Sequence, residues 1–199
     1  MNAIKERGIL FSAPMVRALL DGRKTVTRRA VKGMALDWLA DFEPSYVADP
    51  ENGMCPYGKP GERLWVREAW AADAQLNAVA PRDLSRGEPI LYPADGFTRT
   101  SGCSMISQGR GRPSIHMPRW VSRILLEITD VRVERLQDIS EEQSEAEGVG
   151  FLRAAPDFDE TLTAKQLYEI LWDHINGAGA WDGNPWVWVV EFKQVMPAD

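Results

Sequence analysis

The chain has 199 residues, is 44% hydrophobic and 26% charged, and carries a net charge of −6. Those proportions exclude a disordered, collagen-like or coiled-coil chain, and the length suits one domain with a core of its own and large insertions. The net charge excludes a chain that is basic along its whole length, though residues 1–36 hold eight Lys/Arg against two acids, 109–123 hold four Arg and no acid, and 134–173 hold three Lys/Arg against eleven acids.

Such asymmetry fits an anionic partner at the basic segments, or segments that neutralise one another in the fold. The two cysteines, Cys55 and Cys103, stand far apart with no CxxC and no Cys/His cluster, so free thiols and neither metal nor cofactor are expected. The start, MNAIKERGILF, lacks the apolar stretch of a secretion signal, and no run reaches transmembrane length. The expected location is the cytoplasm, with no membrane partner. Eight tryptophans are more than a chain of this size usually carries.

In chain order, Ile9–Phe11 reads as a short strand. Ser12 is placed as a helix N-cap with Pro14 in the first turn, and Met15, Val16, Leu19 and Leu20 follow at helical spacing. Gly22 is placed to end that helix in a left-handed conformation. Arg23 to Arg29 alternates and is β-prone. On a regular strand Thr25, Thr27 and Arg29 share one face, and Lys24, Val26 and Arg28 the other; a bend at the glycine would let Lys24 join Thr27 and Arg29. Residues 32–60 are rich in Gly, Pro and Asp, with a short helix around Leu36–Phe42. Residues 61–70, GERLWVREAW, form a strand with Leu64, Val66 and Glu68 on one face and Trp65 and Arg67 on the other. Residues 71–112 read as a loop with one short strand at Ile90–Tyr92. Trp120–Arg135 is the best long strand. Ser140 with Gln143, and Thr163 with Gln166, are capping boxes opening helices at 141–147 and 164–176. Pro185–Lys193 is the closing strand, on which Trp186 and Trp188 share a face. Several strands with few short helices point to a small α+β barrel.

Three groups of residues can carry chemistry. Lys24, held beside other cations in a partly dry pocket, would have a lowered pKa and act as a base, and the Thr27 hydroxyl beside it would be a nucleophile. The competing reading is a solvated surface strand. Glu147 stands at the C-terminal end of its helix, where a carboxylate opposes the helix dipole; it is functional, paired with an arginine, or solvated. Arg110, Arg112, His116, Arg119 and Arg123, interleaved with Pro113, Pro118 and Trp120, suit a phosphate backbone with a stacked base. His174, among apolar helix neighbours, reads as core or edge.

The run from Phe11-Ser12-Ala13-Pro14 to Leu20, followed by Gly22-x-Lys24-x-x-Thr27-x-Arg29, resembles the signature of the ASCH domain family of the PUA-like superfamily. GERLWVRE at 61–68, the strand 120–135, the acidic helix with Glu147 and the closing VWVVEFK at 187–193 follow in the family's order. The resemblance covers most of the chain as one domain, 1–199, apart from insertions at about 32–60 and 71–112. It is strongest to long ASCH proteins of bacteria and their phages. It implies a small PUA-like β-barrel with short helices at its rim and a cleft for a nucleoside or single-stranded RNA. Small bacterial members hydrolyse the amide of N4-acetylcytidine. Carried over, Lys24 is the base, Thr27 the nucleophile and Glu147 the proton donor, while Arg29 binds or stabilises charge. Arg23, Trp65, Arg67, Arg112, His116, Arg119 and Trp120 are the further candidates for substrate contact. Other family members are ribonucleases or plain RNA binders, which remain the alternatives.

Overall fold

The computed structural model describes residues 4–100, 102–154 and 161–196. Asp157, Asp159 and Glu160 of the acidic C-terminal third therefore lie outside the described residues. The elements are β1 (Glu6–Leu10), α1 (Ala13–Leu20), β2 (Val26–Ala30), α2 (Met34–Trp38), α3 (Pro44–Ala48), β3 (Arg63–Arg67), β4 (Ile90–Tyr92), β5 (Phe97–Arg99), β6 (Leu125–Arg135), α4 (Glu141–Ala146), α5 (Ala164–Asn176) and β7 (Trp186–Val195). The architecture is mixed α+β. No helix among the described residues is long and apolar enough to cross a membrane.

Five strands form one sheet in the order β1-β3-β6-β7-β2. β1 runs parallel to β3, which requires the long crossover that residues 11–62 supply. The other pairs are antiparallel, and the β6–β7 ladder breaks register between Ile128 and Asp130. β1 and β2 are the sheet's two edges. No ladder joins them among the described residues, so main-chain pairing does not close the expected barrel. A side chain bridges the gap instead: the Arg29 guanidinium donates to the Leu10 carbonyl at 2.8 Å and lies over the Phe11 ring.

Each face of the sheet is covered. Ile9, Leu64, Val66, Leu126, Val190 and Phe192 pack against Met15, Val16 and Leu19 of α1 and Val47 of α3. Val26, Val187 and Val189 pack against Leu167, Tyr168 and Trp172 of α5. Full burial of one such aliphatic side chain contributes about 1.5–3 kcal/mol, so these two clusters hold the sheet between its helices.

Several elements differ from the sequence expectation. β2 begins at Val26 because the preceding turn is tied to α1. Ser12 has the N-cap backbone conformation, but its hydroxyl makes no capping hydrogen bond. β6 begins at Leu125, with Trp120 instead in a 3-10 turn, Arg119–Val121, that Pro118 precedes. Residues 34–48 form two helices, and Trp38, Phe42 and Tyr46 stack on one another with ring centroids 4.9–5.9 Å apart. Both capping boxes are present.

The segment 71–112 is the largest correction. It carries a hairpin, β4–β5, and a core of its own built on Trp70, Leu84, Ile90, Tyr92, Met117 and Val121. Arg123 fastens it: its guanidinium bonds both oxygens of Glu68 at 3.0 Å and both of Asp95 at 2.8–3.0 Å, over the Tyr92 ring. The strand expected at Ile90–Tyr92 is present as β4; its partner β5 and the core go unread because a three-residue strand gives little periodic signal and the core is completed by residues from beyond the segment.

Candidate active site

The turn after α1 sets the position of Lys24. Gly22 adopts φ +71°, and the N–H groups of Arg23 and Lys24 both donate to the Ala18 carbonyl, at 2.8 and 3.0 Å. The N–H of Thr25 then donates to the carbonyl of Ala146 at 2.9 Å, joining this turn to the end of α4. Lys24 is thereby aimed at Glu147. Its Nζ donates to Glu147 Oε2 at 2.7 Å, to the Glu147 carbonyl at 2.9 Å and to the Val26 carbonyl at 2.9 Å. All three ammonium hydrogens have acceptors.

Lys24 and Glu147 are both buried, at 3% exposure each. Burial holds the Lys24 amine below the ordinary lysine value; the Glu147 carboxylate opposes this, and the nearby charges of Arg29 and Arg28 lower it further. The close approach of α1 and α4 depends on Gly148. It has φ +83°, and a Cβ built there would lie 2.8 Å from the Ala18 Cβ and 3.1 Å from the Lys24 Cβ. Any larger residue would push the Glu147 end of α4 away from the lysine.

Glu147 is the C-cap of α4, and its placement against the helix dipole is explained by its partners. Besides Lys24, its Oε1 accepts from Arg28 Nη1 at 3.5 Å and from the Tyr168 hydroxyl at 3.4 Å. Arg28 Nη2 also donates to Glu134 at 3.2 Å and to Gln143 at 2.9 Å. Burial, followed by the charge of Glu147, raises the Tyr168 phenol well above its ordinary value, so it stays a hydrogen-bond donor. Lys24, Glu147 and Tyr168 line a cavity of about 80 Å³ together with Thr27, Phe11 and Leu171. Four consecutive residues, Thr27 to Ala30, line it. This is possible because β2 is an edge strand, so side chains from both of its faces reach the same space around the edge.

Two larger clefts flank the cavity. One, of about 650 Å³, is apolar and shares Phe11, Met15, Arg29, Leu171 and Ile175 with it. The other, of about 500 Å³, shares Arg29, Ala30 and Asn176 and is walled by residues 53–57 of the first insertion. Arg29 lines all three spaces.

No family model matches the chain, and no curated protein matches it. Among solved structures it is similar to the crystal structure of protein EF3133 from Enterococcus faecalis V583, described by the family model DUF984. The TM-score is 0.42 and the identity 9%, over 98% of this chain and 84% of that one. A likeness at this level carries no argument about family or function.

The site therefore stands on its own geometry. Of the residues singled out from sequence, Lys24, Thr27, Glu147 and Arg29 meet at one cavity. The other candidates for substrate contact do not line it or its neighbouring clefts. Arg23 is exposed and pairs with Asp21 at 2.6 Å. Trp65 lies under the guanidiniums of Arg67 and Arg119, at 5.3 and 6.0 Å. Arg67 also donates to the Ile115 carbonyl, and Arg119 pairs with Glu6 at 2.7 Å. Arg112 is buried over Trp70 and donates to the carbonyls of Leu76 and Val79 at 2.7 and 2.9 Å. Trp120 is half-buried under Arg99, and His116 is exposed. The arginines of 110–123 thus largely serve internal contacts. His174 is exposed on α5 and lines the apolar cleft, so it is an edge residue and not a core one.

Arg28, Tyr168 and Phe11 were not picked out as site residues. Arg28 is adjacent to Thr27 and was legible as a cation on the Lys24 face. Tyr168 lies one position from Leu167 on the buried stripe of α5, where periodicity marks it as core and says nothing of its hydroxyl.

Proposed function

We propose that the protein is a hydrolase of the ASCH kind that cleaves the amide of an N4-acylated cytidine. On this reading its open five-stranded sheet with helices at the rim is a variant of the PUA-like barrel. The observation that carries the reading is the buried Lys24 amine 2.7 Å from the Glu147 carboxylate, with Thr27 lining the same cavity. Amide hydrolysis needs a nucleophile, a base and an acid for the leaving amine, and Thr27, Lys24 and Glu147 take these roles on this reading.

Burial, which lowers the Lys24 pKa, favours its neutral amine over the ammonium. As the Thr27 oxygen attacks the acyl carbon, its proton passes to Lys24 Nζ and the carbonyl electrons move to oxygen. The Arg29 guanidinium, whose contact to Leu10 holds it at the cavity wall, stabilises that oxyanion. The proton crosses the Lys24–Glu147 contact. When the C–N bond breaks, the electron pair goes to N4 of cytosine, which takes the proton from Glu147. Water then attacks the threonyl ester, Lys24 accepts a proton from it, and Thr27 leaves with its own restored. Tyr168 and Arg28 fix the carboxylate for this transfer.

Incubation with N4-acetylcytidine tests the reading. Release of cytidine and acetate is expected, with Lys24→Ala slowing it by about 10²–10⁴-fold. Intact substrate at enzyme excess sinks the deacylation, and full activity in the Lys24→Ala variant sinks the mechanism.

A further inference from the structure

The cavity adjoins two clefts, one apolar and one cationic, and shares Arg29 with both. The cationic cleft, of about 500 Å³, is lined by Arg29 and Lys32 together with Tyr57, Asn176 and Trp188 at its walls. No carboxylate lines it. Among the described residues neither Arg29 nor Lys32 forms an ion pair, although fifteen such pairs are made by other residues there. The neighbouring cations, by contrast, have carboxylate partners. Arg28 pairs with Glu134 and Glu147, and Lys24 with Glu147. Arg7 and Lys59, which line a different pocket, pair with Glu62 and Glu51. Arg29 bonds one main-chain carbonyl, through Nη2 alone. Its charge reaches the Tyr57 phenol across the cleft and opposes the rise that burial causes there.

We propose that this cleft is a phosphate subsite, so that the substrate is a phosphorylated nucleoside and not a free one. The inference rests on the reading of the cavity as a nucleoside-handling site and names the missing end of its substrate. A nucleotide is bipartite: a flat base and an anionic phosphate ester joined by a sugar. The molecule offers a reacting cavity and a cationic cleft in contact through Arg29. The acyl carbon sits at Thr27, the cytosine ring stands beside Arg29 and Ala30 where the cavity opens into the cationic cleft, and the sugar phosphate, attached at the opposite end of the ring from N4, extends past Asn176 toward Lys32. A planar guanidinium beside an ammonium is a good phosphate-binding pair, one giving directed hydrogen bonds and the other a mobile point charge. The first insertion, which supplies Gly53, Met54, Pro56 and Tyr57, acquires a role as the far wall of this subsite.

Calorimetric titration of the full chain with cytidine, cytidine 5′-monophosphate and inorganic phosphate tests this, with Lys32→Glu as the variant. Lys32 is exposed, so its replacement leaves the fold intact, which circular dichroism checks. The monophosphate is expected to bind about tenfold or more tighter than cytidine, with the advantage lost in Lys32→Glu while cytidine binding is unchanged. The advantage should also shrink as salt rises. Equal affinity for the two, or no effect of Lys32→Glu, overturns the subsite. An oligonucleotide with an internal N4-acetylcytidine that outcompetes the monophosphate assigns the phosphate to an RNA backbone; weaker competition assigns it to a mononucleotide. Deacylation assays separate this proposal from the one beneath it. Preference for the monophosphate without cytidine release from any acylated form leaves the subsite and removes the hydrolase. Release at equal kcat/KM from N4-acetylcytidine and its 5′-monophosphate does the reverse.

Discussion

Lys24 and Glu147 are 123 positions apart and form a buried ion pair at 2.7 Å, in which the lysine also donates to the main-chain carbonyl of its own partner. The double attachment locks the end of α4 to the turn after α1. It places a base and an acid in direct proton contact. It also makes each of the two groups costly to leave alone, because the survivor would be a buried charge with nothing opposite it.

Glu147→Leu and Lys24→Met should therefore each destabilise the protein by about 3–5 kcal/mol, and the double variant should recover most of that loss. Urea unfolding of the three variants measures it. Strict additivity of the two single losses would mean the pair is not coupled.

The pH dependence follows from the direction of the Lys24 shift. The folded state holds this amine below its ordinary 10.5, so the fold binds fewer protons there than the unfolded chain. Stability from this group rises as pH climbs from the lowered folded value toward 10.5 and is flat above it. Deacylation should rise with pH as the amine loses its proton, with a midpoint below 10.5. Arg29→Gln removes one of the neighbouring positive charges and should move that midpoint upward. An unmoved or lowered midpoint in a pH–rate profile counts against Lys24 as the base.

Gly148→Ala tests the approach of the two elements. The added methyl meets Ala18 and Lys24 at 2.8 and 3.1 Å on a backbone with φ +83°. The variant should lose more than about 1 kcal/mol of stability and also lose activity, although it removes no functional group. Wild-type turnover would show that the Lys24–Glu147 distance is not critical.

Glu68→Ala addresses the second core. Glu68 is 1% exposed and accepts two bonds from Arg123, which also holds Asp95 and the Tyr92 ring. Its loss should cost about 3–5 kcal/mol, because the arginine is left half-paired in a buried place. Limited proteolysis should then cut first within 71–112. Cutting elsewhere, or an unchanged Tm, would show that Arg123 does not fasten the hairpin.

Much of this molecule was legible in local pattern. Ser140/Gln143 and Thr163/Gln166 announce their helices because a capping box is a contact between residues three apart. Gly22 and Gly148 mark helix ends because each needs a positive φ. The hairpin at 90–99, by contrast, depends on Ala71, Arg112 and Arg123 from outside it, and no local signal reports such partners.

The sequence by itself marked the strand that carries Thr27, the two capped helices and the glycines that end helices at 22 and 148. Only the tertiary structure decided which charges meet. The run Arg23-Lys24-Thr25-Val26-Thr27-Arg28-Arg29 supplies four cations in seven positions. Folding pairs Arg23 with Asp21, gives Lys24 and Arg28 to Glu147, and leaves Arg29 without a carboxylate at the junction of three cavities. The reason is physical: secondary structure is set by neighbours a few residues away, whereas the partner of a charge is set by whichever distant element packing brings within hydrogen-bond reach.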